Sequence, residues 1–388
     1  MNTQARRADI REVVEFFHLP GAFISATPFG SGHINDTYRI TMLDQGAEVR
    51  YIVQWINHHV FKHPAALMAN IERVTAHLHQ KLKANGVHDT SRRALTLVRT
   101  RGNGSHAVDA DGNTWRCFKA IEGVRSVNQI ENPQQGYEAA RAFGEFQQLL
   151  SDLPQPRLLD TIPNFHHTRS RFDALRAAIA ADAAHRVERA GPEIEFVLAR
   201  EAMVDVLLAA QARGEIPERV THNDTKLNNV LLDDATGAGV CVIDLDTVMP
   251  GLTLYDFGDL CRTATCPTAE DEQDLTKVEI QLEMFAALVR GYLSSAGAFL
   301  CQAEREQLVF SARLITFEIG IRFLADFLQG DIYFKTHRPG HNLDRARVHF
   351  KLVAEMEALE ARLQAIVDRA TSWTPPHRKG HEHQHHSV

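Results

Sequence analysis

Apolar positions along the chain change period near residue 120, and that change divides it. Ile10, Val13, Val14 and Phe17 recur at helical spacing within Asp9–Leu19. Ala22–Pro28, Thr37–Met42 and Arg50–Ile56 are short runs rich in β-branched and aromatic residues. Turn residues at 30–35 and 43–46 join them, which predicts an antiparallel meander. From Pro64 to Asn85 the period returns to helical: Leu67, Ile71, Val74, Leu78 and Leu82 share one face, and Gly86 ends the run. Strands are expected again at Ala94–Thr100, around Ser105–Asp109 and at Thr114–Ile121.

Beyond Glu122 the texture is helical, with helices expected at Pro133–Leu150, Asp173–Arg189, Pro192–Arg213, Glu270–Ser294, Glu304–Gln329 and Asp344–Arg369. A β-like island from Val220 to Ile243 interrupts them. The prediction is an α+β chain. A small sheet-and-helix lobe spans residues 1–121, a larger helical lobe 122–374, and a disordered, His-rich tail 375–388.

Composition narrows the class. Lys+Arg total 42 and Asp+Glu 49 in 388 residues, a formal charge of -7, without the basic block that nucleic-acid binding requires. There is no apolar stretch long enough for a membrane span, and the N-terminus is charged where a secretory signal would be apolar. A cytoplasmic protein with no obligate protein partner is the expectation. The five cysteines form no C-x-x-C pair and read as reduced thiols. The 21 histidines suggest a transition-metal protein, but five (377, 381, 383, 385 and 386) lie in the tail. His58-His59, His77 with His79, and His166-His167 lack a partner set and read as solvent-exposed.

The chemistry concentrates in the β island. Thr221-His222-Asn223-Asp224-Thr225-Lys226-Leu227-Asn228-Asn229 is an H-x-D-x-x-x-x-N pattern, and an apolar strand ending in Asp244 follows fifteen residues after Asn229. Phosphoryl transfer needs this set. A loop carboxylate, Asp224, orients the acceptor hydroxyl and takes its proton. The amide oxygen of Asn229 and the carboxylate of Asp244 supply the hard oxygens that Mg²⁺ prefers. His222 braces the loop. Asp246, two residues on, is a supporting or alternative contact, and Asp256 and Asp259 read as support residues. Upstream, Gly30-Ser31-Gly32 in a strand-turn-strand would let backbone N–H groups approach phosphates.

The chain from Ala22 to Leu363 resembles the aminoglycoside-phosphotransferase superfamily, and within it the N-acetylhexosamine 1-kinases. The segments that carry the resemblance are FGSGHINDTY, YIVQWIN, WRCFKAIE, THNDTKLNNVLLD, VIDLDTVMPG, YDFGDLCR and IRFLADFLQGDIYF. The resemblance implies a protein-kinase-like fold, with ATP and Mg²⁺ as cofactors and an N-acetylhexosamine phosphorylated at its anomeric hydroxyl. It implies that Asp224 is the base, that Asn229 and Asp244 hold Mg²⁺, and that Gly32 and His33 border phosphates and sugar. It also implies that Arg322 and Tyr333 hydrogen-bond the sugar and that Phe118, Ile121 and Glu122 lie on the adenine hinge. Arg322 could instead pair with Glu318 or Asp326, one helical turn away. Other alcohols (aminoglycoside, choline or homoserine) and a nucleotide-binding pseudokinase are the competing readings.

One departure stands out. Protein kinases carry a lysine on the third strand, paired with a helix glutamate. Here that strand offers Gln54, and Glu72 on the helix lacks the partner. Lys226 is the substitute cation this reading suggests.

Overall fold

A computed structural model describes residues 9–30 and 34–372. Asp9 caps the short helix α1 (Ile10–Val14), which ends earlier than its apolar period because Phe17 turns into a bridge with Thr100. Strands β1 (Ala22–Pro28), β2 (Asp36–Asp44) and β3 (Ala47–Ile56) form the meander. The β2–β3 turn is only Gln45-Gly46, both at positive φ (49° and 83°), as a tight hairpin requires. Helix α2 (Pro64–Ala84) follows, then β4 (Ala107–Val108) and β5 (Thr114–Lys119) complete one sheet in the order β1-β2-β3-β5-β4. The strand expected at 94–100 contributes only the bridge Leu97–Phe118.

After the crossing at 120–123, β6 (Val124–Arg125) pairs with β8 (Val230–Asp233), which pairs with β9 (Gly239–Val242). A second ribbon joins β7 (Arg219–Thr221) to β10 (Met249–Gly251). Around these pack α3 (Pro133–Leu150), α4 (Thr168–Ala181), α5 (Gly191–Leu198), α6 (Val206–Ala212), α7 (Thr253–Ala264), α8 (Leu282–Ala296), α9 (Gln302–Glu306), α10 (Leu308–Gln329), α11 (His341–Ala358) and α12 (Glu360–Ser372). Helix α3 has the expected bounds. The others show what periodicity missed: α4 starts five residues before the expected helix and ends eight before it, where Asp182 adopts the left-handed conformation, and residues 270–281 form turns and a single 3₁₀ turn in place of α-helix.

Two main apolar cores result, beside a small cluster of Val278, Val348 and Leu352. Val13, Val14, Phe17, Ile40, Met42, Val53, Trp115 and Cys117 fill the space between α1 and one face of the sheet. A much larger core joins the helical lobe to the buried stripe of α2: Leu67, Met68, Ile71, Val74, Leu78 and Leu82. Each such fully buried side chain contributes roughly 1.5–3 kcal/mol of transfer free energy. Asn70 on the same helix is 2% exposed. It donates to the carbonyls of Leu159 (2.7 Å) and Val248 (3.2 Å) and accepts from Leu159 N (3.0 Å). No helix among the described residues is long and apolar enough to cross a membrane. Cys117, Cys241 and Cys261 are buried free thiols, while Cys266 and Cys301 are half-buried.

Candidate active site

The two ribbons present the loop from His222 to Asn229 and the turn from Asp244 to Asp246 side by side. The loop is fixed through its backbone. Buried Asp256, in the first turn of α7, accepts from His222 N (2.8 Å, Oδ2) and Asn223 N (2.7 Å, Oδ1), and its Oδ2 also accepts from Gln147 Nε2 (2.6 Å). Asn223 sits at φ 65°, where asparagine is tolerated better than branched residues. Its side chain is spent on Thr221 and Thr247. His222 lies in the core, donating from Nε2 to the Ile243 carbonyl (2.9 Å) and accepting Asp224 N at Nδ1 (3.3 Å). It braces, as its position predicts.

Asp224 meets Lys226 Nζ at 2.8 Å. Burial pushes the Asp224 carboxyl upward, but the Lys226 ammonium, with His222 and Arg262, outweighs this and holds its pKa below the ordinary value. Lys226 is raised in turn, first by Asp224. Asn229 donates from Nδ2 to the Asp224 carbonyl (2.8 Å), which leaves its amide oxygen as the outward atom.

Asp244 adopts the left-handed conformation (φ 59°, ψ 61°) at the end of β9. Its surface is open to the cleft, yet the protein encloses it on most sides. That enclosure, then Asp246, then Asp224, pushes its carboxyl up to about 6. Among the described residues nothing hydrogen-bonds its side chain. The outward oxygen of Asn229 and this unengaged carboxylate suit a hard divalent cation. No group of three or more His, Cys, Asp or Glu with metal-holding geometry occurs among the described residues, so other ligands, such as phosphate oxygens, would complete the shell.

The sheet lobe faces this turn with Gln54 and Arg116, which are register partners on β3 and β5. Gln54 is engaged at both ends: Nε2 donates to Thr37 Oγ1 (3.0 Å), and Oε1 accepts from Arg116 Nε (2.9 Å). It buttresses the arginine. Arg116 is 1% exposed and ion-paired with Asp246, which also accepts from Asn35 Nδ2 (2.6 Å). Glu72 pairs with Arg99 instead of a strand cation. Gly30 has φ 80° and open space on its Cβ side. Ser31, Gly32 and His33 lie outside the described residues, as does the 375–388 tail.

Along the expected hinge, Phe118 is buried, and the Glu122 carbonyl accepts from Arg92. Among the described residues the Ile121 peptide groups carry no hydrogen bond.

Arg322 does not make the ion pair its spacing allows. Buried Glu318 holds His166 Nδ1 (2.8 Å) and Thr168 Oγ1 (2.6 Å). Asp326 accepts the N–H groups of Ile332, Tyr333 and Phe334. Arg322 instead lies among the rings of Phe165, Tyr333 and Phe334, at 5.4, 6.0 and 5.6 Å from their centroids. Arg171 holds the Phe165 carbonyl (2.8 Å), and burial, then Arg322, lowers its pKa. Tyr333 is 63% exposed.

The exposed reading of His166 is corrected. It is buried, and its Nε2 donates to the Asn223 carbonyl (2.9 Å), one residue before Asp224. Half-buried His79 bonds Thr90 and Leu95. No sequence signal marks His166, because its partners lie 57 and 152 residues away. Arg116 did carry a signal, a charge inside the apolar strand TWRCFK.

A cavity of about 870 Å³ opens beside the loop, lined by Lys226, Asn228, Arg262, Thr263, Glu270 and His349 among others. Neither Arg322 nor Tyr333 lines it.

The sequence profile of a phosphotransferase enzyme family matches residues 25–293. Among solved structures the chain is similar to an aminoglycoside phosphotransferase from Alicyclobacillus acidocaldarius subsp. acidocaldarius DSM 446, with TM-score 0.56, 12% identity, and coverage of 95% of this chain and 98% of that one. It is also similar to a Plasmodium vivax ethanolamine kinase, with TM-score 0.52, 14% identity, and 84% and 82% coverage. A spectinomycin phosphotransferase in complex with ADP and spectinomycin gives TM-score 0.51, 11% identity, and 87% and 93% coverage. At these identities the likeness establishes the fold: α+β, two-lobed and protein-kinase-like.

Proposed function

The chain belongs to the phosphotransferase enzyme family, a small-molecule kinase with an alcohol acceptor, and on that premise we propose that it phosphorylates the anomeric hydroxyl of an N-acetylhexosamine, using ATP. Asp224 takes the acceptor proton as the new O–P bond forms and the β–γ bridging bond breaks, releasing ADP. Lys226 keeps Asp224 ionised and lies beside the transferred group. Gly30–Gly32 and Ile121 would bound the nucleotide, and Asn229 with Asp244 would hold Mg²⁺. Bound there, Mg²⁺ would neutralise phosphate charge.

The observation that carries the acceptor class is Arg322. It makes no direct ion pair among the described residues, although Glu318 lies within its electrostatic reach; it is framed by aromatic rings and linked through Phe165-His166 to the catalytic loop. Such a cation suits hydroxyl and amide oxygens and repels the polycationic or quaternary-ammonium acceptors of other readings. The test is a phosphorylation panel of N-acetylglucosamine, N-acetylgalactosamine, simple hexoses, choline and an aminoglycoside, read by phosphorus NMR. An anomeric phosphate on an N-acetylhexosamine is expected. Product with choline or the aminoglycoside alone refutes the sugar assignment. Asp224→Asn should lower turnover by at least about 10³-fold while ATP still binds; near-normal turnover removes Asp224 from the base role.

A further inference from the structure

The third strand lacks its lysine, yet the cleft does not lack a fixed cation. We propose that Arg116, on the neighbouring strand β5, is the residue that gathers the nucleotide's phosphates against the Asp244 turn. This inference rests on the kinase reading but not on any choice of acceptor.

Three observations converge on it. First, Arg116 occupies the lysine's row of the sheet. Thr37, Gln54 and Arg116 are register neighbours across β2, β3 and β5. Trp115 and Cys117 on either side of Arg116 point into the small core behind the sheet, so Arg116 points into the cleft. Second, it is aimed. Thr37 orients the Gln54 amide, and the Gln54 oxygen takes Arg116 Nε. The guanidinium then reaches Asp246, two residues from Asp244. A guanidinium has five N–H donors. Gln54 and Asp246 use two, and the second terminal amino group carries no bond among the described residues. Third, other cations on that face are turned away: Arg50 to Glu48 and Glu122, and Arg39 onto the ring of Phe29.

The arrangement also explains Gln54. A lysine there would set an ammonium against a guanidinium, whereas glutamine presents the oxygen that Arg116 Nε needs. Lysine at position 54 and arginine at position 116 are therefore alternatives. Asp246 neutralises Arg116 in this structure. A phosphate, whose oxygens match arginine's fork of donors, would share that cation through the unbonded amino group, which is nearly buried and must be uncovered for it.

The test compares ATP with adenosine by calorimetric titration of the full chain in Mg²⁺ buffer. Arg116→Met should weaken ATP binding about 10- to 100-fold, the worth of one or two charge-assisted hydrogen bonds, and leave adenosine within about twofold. A merely structural arginine would weaken both ligands alike or neither, and either result overturns the proposal. Because Arg116→Met strands the Asp246 carboxylate, the same titrations are made on Arg116→Met/Asp246→Asn, which should show the same selective loss. Charge relocation is the third arm: Gln54→Lys/Arg116→Met should recover at least about tenfold in ATP affinity over Arg116→Met, and no recovery overturns the proposal. If the unaltered protein binds no ATP, the kinase reading fails with it. If it binds ATP and Arg116→Met binds equally well, only this inference fails.

Discussion

Asp256→Ala removes the carboxylate on which the catalytic loop's backbone rests. Two buried amides, His222 N and Asn223 N, lose their acceptor, as does Gln147 Nε2. Leaving a buried donor unpaired costs about 1–3 kcal/mol, so the two amides alone amount to roughly 2–6 kcal/mol. Against this stands relief from burying a carboxylate, whose pKa burial already raises. A net loss of roughly 3 kcal/mol follows, read as a lower urea midpoint at unchanged slope. Relaxation of the loop displaces Asp224, and a shift on the order of 1 Å costs about 10²-fold in turnover. Asp256→Asn keeps one acceptor oxygen but must face an amide with its NH₂, so it belongs between wild type and alanine. If Asp256→Ala stays within about 0.5 kcal/mol of wild type with turnover within a factor of two, Asp256 does not carry the loop. If asparagine falls at or below alanine, the charge and not the pair of acceptors is what matters.

Other outcomes follow from the same structure. His349 is buried beside Arg262, Glu270 and Arg345, and its pKa is pulled down to about 4, first by burial. Its folded pKa lies below the unfolded 6.5, so its contribution is complete above 6.5 and lost as pH falls towards 4, at most about 3 kcal/mol; His349→Gln should flatten the unfolding profile over that window, and an unchanged profile refutes it. Gly291→Ala on α8 would place a Cβ 2.1 Å from the Tyr137 carbonyl of α3, so the helices must part at a cost of about 1–3 kcal/mol, visible in thermal melts; unaltered melting would contradict that contact. By contrast, Arg157→Ala breaks a surface pair with Glu218 and should change stability by less than about 1 kcal/mol; a larger loss would show that the pair is more than a solvated contact.

The parts legible in the sequence were those encoded locally. The meander, α2 and α3 follow from period and turn residues, and the H-x-D-x-x-x-x-N spacing places Asp224 and Asn229 on one loop whatever surrounds it. What stayed hidden depends on register or long-range partners. Gln54 was legible as a departure, but its compensation by Arg116 needs the β3–β5 register. The i±4 rule allowed Arg322 two acids, and both are claimed by groups far along the chain or by backbone amides. Helix ends failed where a left-handed residue such as Asp182 overrides the apolar period.

The division between two apolar cores bears on how the molecule can move. Helix α2 lies in the N-terminal third, yet its buried stripe belongs to the larger core, and Asn70 fastens it to Leu159 and Val248. The face of the sheet turned to α1 has a smaller core of its own, while Ile56 and Phe118 on the other face join the larger one. Through α2 the larger core therefore reaches back across residue 121. The part held by the smaller core alone is α1 with β1 and β2, and α2 counts as part of the base. Hydrogen exchange would register this as one cooperative unit formed by α2 and the helical lobe, with α1, β1 and β2 opening at lower free energy.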